Sequence, residues 1–189
     1  KRIELQLREQ QTYTRSLIES NIDALMTTDP LGVITDVNRQ MCAVTGSSPE
    51  ELVGTPFKNY FTDPLRAEAG VRQVLAEDKV TNYELTIRAK DGRKTVVSYN
   101  ATTFRDADNH LKGVFAAARD ITDQKRLEGQ LTLRNTELTE ATTFLNNVLE
   151  SSTEYSIIAK DLTGNILTWN EGARRNYGYS AEEMVGKGN

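Results

Sequence analysis

The sequence predicts an α+β domain, a five-stranded sheet with its helices on one face, with one helix ahead of it and a long helix behind. Three observations carry this. Strand-like stretches recur five times, helix start signals cluster between the second and third of them, and the chain then opens the same pattern again. Asp29-Pro30-Leu31-Gly32, Ile34 and Asn38 match Asp161-Leu162-Thr163-Gly164, Ile166 and Asn170. Gly46, Ser48, Glu50-Glu51 and Gly54 match Gly178, Ser180, Glu182-Glu183 and Gly186 at the same offset. Two separated blocks in register mean serial copies of one module, not a solenoid. The 189 residues therefore read as part of a longer protein. The expected divisions are an N-terminal helix at 1–20, a complete module at 21–122, a linker helix at 123–150 and an incomplete second module at 151–189.

Each element has its own signal. Residues 1–20 lack Gly and Pro, and Ile3, Leu7, Gln10, Thr14 and Leu17 keep 4-3-4-3 spacing, a helix with a partly polar seam. It packs either on its own domain or against a partner. Residues 24–28 and 33–37 form a hairpin across Asp29-Pro30-Leu31-Gly32. Asn38 is a good N-cap for a helix over 41–45. In Ser48-Pro49-Glu50-Glu51, serine caps, proline takes the first helical position and Glu51 closes a capping box. Its recurrence at Ser180-Ala181-Glu182-Glu183 marks those residues as structural. A longer helix covers 65–77. Tyr83, Leu85, Ile87 and Ala89 then alternate with polar residues, the period of a half-buried strand. Asp91-Gly92 turns the chain into a strand at 95–104, and Ala107-Asp108-Asn109-His110 turns it into the last at 111–119.

Asp120-Ile121-Thr122 stops the sheet and starts a helix. Leu127, Leu131, Arg134, Leu138, Ala141, Leu145 and Val148 hold 4-3 spacing, with Leu131, Leu138 and Leu145 seven apart. Two partners can cover this stripe: the same helix of a second chain, in a coiled coil, or the helix's own domain. The coiled coil is the more economical, and Arg134 in its seam makes it adjustable.

Bulk properties narrow the function. A net charge of −4 and 38% hydrophobic residues describe a soluble chain without the basic stripe that nucleic-acid binding requires. No apolar run is long enough for a membrane span. A single cysteine, Cys42, rules out an internal disulfide and fits a cytoplasmic, reducing compartment. A single histidine, His110, leaves little for zinc or triad chemistry. There is no phosphate loop, no nucleophile–histidine pair and no carboxylate pair suited to acid–base work, so an enzyme is not expected within this chain.

Taken in order, Asp29-x-x-Gly32, Asn38, Gly46-x-Ser48-x-Glu50-Glu51-Leu52-x-Gly54, Asp91-Gly92 and Arg119-Asp120-Ile121-Thr122 resemble the PAS-domain family of sensor modules. The resemblance covers residues 20–122 and again 151–188. It implies an antiparallel sheet enclosing a pocket, and a signal carried by Asp120, Ile121 and Thr122 into the linker helix. It also implies an output domain further along the parent chain, such as a histidine kinase, a cyclic-dinucleotide enzyme or a phosphatase. Alternation places Tyr83, Leu85, Ile87, Val97, Tyr99, Ala101, Phe115 and Ala117 inward. Such a lining suits a small apolar ligand, and it suits a filled core equally.

The cofactors of this family set further tests. Light-oxygen-voltage sensors place a thiol where this chain has Phe57, flavin-binding asparagines where it has Ile87 and Val97, and a glutamine where it has Phe115. All four depart, which argues against adduct-forming flavin chemistry. Cys42 reads as a small core residue. The helix over 65–77 offers haem no histidine, and His110 sits in a turn. Non-covalent FAD needs no unique residue and stays open. The expected function is a sensory module that homodimerises through Leu127, Leu131, Leu138 and Leu145. The alternative is a ligand-free dimerisation and relay domain.

Overall fold

The computed structural model describes residues 2–188. Lys1 and Asn189, the first residue of the expected N-terminal helix and the last of the second module, lie outside the described residues. The chain divides into two units, 1–127 and 128–189.

In the first unit, α1 (Arg2–Glu19) leads to β1 (Ala24–Thr28) and β2 (Ile34–Val37). Helices α2 (Arg39–Thr45), α3 (Pro49–Leu52) and α4 (Pro64–Glu77) follow, with a 3-10 turn at Phe57–Tyr60. Then come β3 (Lys79–Arg88), β4 (Lys94–Arg105) and β5 (Leu111–Asp120). The strands run in the order β2-β1-β5-β4-β3, and every pair is antiparallel. The last strand thus lies in the middle, between the hairpin and β4. Met41, Val44, Leu52, Phe57, Phe61 and Ala67 from the helical segment pack on Met26, Ile87, Val97 and Tyr99 of the sheet in one core.

The repeated motifs are structural devices. Asp29 Oδ1 accepts the N–H groups of Leu31 and Val33, each at 2.9 Å, while Gly32 takes the positive φ the turn needs. In the second copy Asp161 Oδ1 accepts from Thr163 and Asn165 in the same way. Hydrogen bonds from the Asn165 and Thr163 side chains hold that carboxyl down at about 2. Glu51 accepts the Ser48 N–H at 2.9 Å, and Glu183 accepts that of Ser180 at 2.8 Å, so both reach back as a capping box does.

Asn38 and Asn170 do more than cap. Asn38 Oδ1 accepts from Met41 N–H at the head of α2 and from Leu25 N–H on β1. Its amide donates to the carbonyls of Ile18, near the end of α1, and Asp23. Asn170 Oδ1 accepts from Ala173 and Ile157, and its amide donates to Leu149, Ser152 and Tyr155. Both side chains are only 1% exposed.

Where β5 crosses β1, Gly113 leaves no room for a side chain: an added Cβ would run into the Thr28 carbonyl. Helix α5 (Thr122–Ser151) follows β5. None of its described side chains is buried, and none of α1's is. The second unit continues with β6 (Ile158–Lys160), β7 (Ile166–Trp169), α6 (Glu171–Tyr177) and α7 (Ala181–Met184). Strands β6 and β7 pair as a two-stranded sheet over a small core of Ile166, Trp169 and Ala173.

Two outcomes follow from this packing. Gly113→Ala is expected to destabilise the first module by about 3 kcal/mol, because backbone must move to admit a methyl group. A urea midpoint unchanged from the parent protein would show that β5 does not approach β1 this closely. A two-stranded sheet is marginal alone, so amides over 155–169 are expected to exchange much faster than those over 83–117. Equal protection in the two stretches would contradict this.

Candidate functional site

A cavity of about 40 Å³ lies between α4 and the sheet of the first module. Helix α4 contributes Ala67, Gly70, Val71 and Val74, positions spaced 3, 1 and 3 and therefore on one helical face. The sheet contributes Met26 and Thr28 from β1, Val80, Tyr83 and Leu85 from β3, Tyr99 and Ala101 from β4, and Val114 and Ala116 from β5. Phe57 closes one end, its ring edge-on to Phe61 at 5.6 Å, and Phe61 in turn meets Tyr99 at 5.8 Å.

Of the eight residues expected to face inward, Tyr83, Leu85, Tyr99 and Ala101 line this cavity. Ile87 and Val97 are fully buried in the same core without lining it. Phe115 and Ala117 are corrected: they lie on the opposite face of the sheet. Residues directly opposite on neighbouring strands share a face. Ala101 pairs with Ala116 and Tyr99 with Ala118, whereas Phe115 faces Thr102 and Ala117 faces Asn100. Phe115 is 36% exposed. Alternation failed in β5 because Ala116-Ala117-Ala118 carries no polar contrast, which left the large aromatic to set the parity wrongly. Val114 and Ala116 are the residues of β5 that face the cavity. The α4 stripe was also missed, although its helical spacing is legible in the sequence.

The mouth is identified by partial burial. Val71, Tyr83 and Ala101 are half-buried, while the rest of the lining is buried. The Tyr83 ring rests on Gly70, where a Cβ would come within 2.9 Å of it. Its hydroxyl donates to the Arg66 carbonyl at 2.9 Å.

Two buried hydroxyls are unmatched. Thr28 Oγ1 and Tyr99 Oη find no hydrogen-bond partner among the described residues. Burial pushes the Tyr99 phenol well above its ordinary range, so it stays neutral.

The cavity does not fit the larger cofactors of comparable folds. Cofactor pockets run to about 300–1,000 Å³, many times this volume. Phe57 lines it where an adduct-forming flavin site needs a thiol. Cys42 is half-buried on α2, and burial raises its thiol pKa. His110 sits on an exposed turn beside Asp106 and Asp108, where Asp106 already accepts two backbone N–H groups and pairs with Lys112 at 3.2 Å.

The start of α5 is hydrogen-bonded to β4, the strand that also carries Tyr99 and Ala101. Ile121 N–H donates to the Val96 carbonyl, and Val96 N–H donates to Thr122 Oγ1, both at 2.9 Å. Asp120 accepts the Thr122 N–H at 2.8 Å. Arg119 pairs with Asp23 at 3.3 Å, the residue whose carbonyl Asn38 holds. Farther along α5, Leu127, Leu131, Leu138 and Leu145 are all more than half exposed.

Comparison with known proteins agrees with this architecture. A PAS domain profile matches residues 22–123 and 154–188. A phytochrome from Mougeotia scalaris is 24% identical over 178 residues, 90% of this chain; the chain spans about 15% of the phytochrome's length. The PAS domain of an HTR-like protein from Haloarcula marismortui superposes with a TM-score of 0.56 at 23% identity, over 64% of this chain and 98% of that one. A PAS domain from a two-component sensor histidine kinase gives 0.53 at 18% identity, over 60% and 97%. An RNA-binding light-oxygen-voltage receptor gives 0.57 at 17% identity, over 66% and 37%. The structural likenesses establish the fold, and the profile covers well over half of the chain. With one whole module and part of a second, this chain belongs to the PAS domain family.

Proposed function

We propose that this chain is a sensing and relay segment of a longer signalling protein. The first module takes a small, mainly apolar ligand into its cavity and passes the change through Asp120, Ile121 and Thr122 into α5. The observation that carries this is the fastening of α5 to Val96: the helix is held by β4, and β4 and β5 are walls of the cavity. Movement of β4 would therefore reach the helix through one backbone hydrogen bond and one to the Thr122 hydroxyl.

The exposed leucines of α5 support a homodimer. Leu131, Leu138 and Leu145 recur at the heptad interval and are unburied in one chain, and a second copy in coiled-coil register would cover them. A ligand can then shift the coil between two packings, by no more than its difference in affinity for them. The reaction is assigned to an output domain elsewhere in the parent protein, with no enzyme in this segment. A kinase output is the reading favoured by the likeness to a sensor histidine kinase PAS domain.

A second reading is favoured by the small volume of the cavity: a ligand-free domain that fixes dimer geometry and relays strain. Native mass spectrometry of the chain purified from cells separates the two. The sensing reading predicts a dimer with a defined extra mass, lost in Ala101→Phe and kept in Ala117→Phe, which lies on the other face of the sheet. A bare dimer favours the spacer. Leu131→Glu combined with Leu138→Glu is expected to give monomer, and a parent chain that is monomeric at micromolar concentration would sink the coiled coil.

A further inference from the structure

Resting on the homodimer reading, we propose that α1 is a second pairing helix, equivalent to the later part of α5, and that its partner is α1 of a second copy of this chain, side by side in parallel. The observation is that the internal repeat reaches back into the incoming helices. Leu7, Glu9, Thr12, Glu19 and Ser20 recur in one unbroken register as Leu138, Glu140, Thr143, Glu150 and Ser151. Tyr13, Leu17 and Ile18 recur as Phe144, Val148 and Leu149. The buried asparagines give the same alignment independently. Asn38 holds the Ile18 carbonyl and Asn170 holds the Leu149 carbonyl, so matched residues sit in matched sockets. The repeating unit is therefore a helix together with its module.

This alignment fixes the rotational phase of α1. Its seam of Ile3, Leu7, Gln10, Thr14 and Leu17 falls on Arg134, Leu138, Ala141, Leu145 and Val148, the seam of α5. Counted from the residue that each asparagine holds, the two seams occupy the same side of their helices. No described side chain of either helix is buried, and Ile3, Leu7 and Leu17 are each more than half exposed. The chain's own module therefore does not cover the α1 seam. A stripe repeated in phase on both helices calls for the same cover on both, and for α5 that cover is a second copy. Orientation comes from the flanks of the seam. In a heptad that places Leu7 at a, Tyr13 is at g and Ile18 at the next e, and Phe144 and Leu149 hold the same two positions in α5. Tyr13 and Phe144 are 65% and 67% exposed. In a parallel pair each g residue lies beside the second copy's next e residue, so apolar meets apolar in both helices. An antiparallel pair in full overlap would set Tyr13 against Gln6, the other g residue of α1.

The test is disulfide cross-linking of the whole chain, with its one native cysteine, Cys42, replaced by alanine. Single cysteines are placed on the α1 seam (Leu7→Cys, Leu17→Cys), on the α5 seam (Leu138→Cys, Val148→Cys) and on the far side of α1 (Thr12→Cys). All five positions are exposed, so the fold tolerates the changes. Across a parallel pair each seam residue faces its own counterpart, whereas cysteines whose Cα atoms lie more than about 7 Å apart cannot be bridged. Mild oxidation is therefore expected to convert all four seam variants to covalent dimer and to leave Thr12→Cys monomeric on a non-reducing gel. Cross-linking at Leu138→Cys and Val148→Cys but not at Leu7→Cys and Leu17→Cys would overturn the pairing of α1 while leaving the α5 homodimer standing. Cross-linking of Thr12→Cys as complete as that of Leu7→Cys would overturn it too, since α1 would then present no fixed face. Failure of all four seam variants would remove the homodimer reading and this proposal with it.

Discussion

A buried asparagine holds the first module together at the point where its helix arrives. Asn38 spends its full capacity: the oxygen accepts two backbone N–H groups and the amide donates to two carbonyls. Three elements meet in that one side chain, namely the end of α1, the start of β1 and the head of α2. Helix ends leave carbonyls without intrahelical partners, and here a side chain from the domain core takes one of them. The direction in which α1 enters the fold is thereby fixed by a hydrogen-bonding group that water does not reach. Asn170 repeats the arrangement at the end of α5, so the module carries its own socket for an incoming helix.

The same corner touches the outgoing helix. Asn38 holds the Asp23 carbonyl, the Asp23 carboxylate pairs with Arg119, and Arg119 precedes the Asp120-Ile121-Thr122 segment that starts α5. The central position of β5, beside β1, makes this possible: the first and last strands are neighbours although they are farthest apart in sequence. The ion pair is exposed and contributes little to stability by itself. Its importance is positional, since it joins the two helix attachments by a short polar path. Two bonded connections therefore reach the start of α5, one from Val96 on β4 and one from Asn38 through Asp23 and Arg119.

Much of this was legible in the sequence, for physical reasons that differ by element. The turns and caps were clear because Asp29, Gly32, Ser48 and Glu51 each satisfy a local backbone demand that few residue types can meet. β3 was clear because polar and apolar residues alternate in it. β5 was not, because three successive alanines carry no polarity; only its register with Tyr99 and Ala101 shows that Val114 and Ala116 face inward. The cap at Asn38 could be read locally. Its grip on Ile18 and Asp23 could not, since those contacts are made by tertiary packing. The unmatched hydroxyls of Thr28 and Tyr99 were equally hidden: a threonine in a strand and a tyrosine in a core are ordinary until their neighbours are known.

Hydrogen exchange on Asn38→Asp tests most directly whether the two helix attachments are coupled. Aspartate retains the acceptors for Leu25 and Met41 but loses the donors to Ile18 and Asp23. Amides at 18–25 and at 119–126 should then exchange faster together, while those at 83–101 remain protected and report an intact sheet. Faster exchange confined to 18–25, with the start of α5 as protected as in the parent chain, would show that the incoming helix is held independently of the outgoing one.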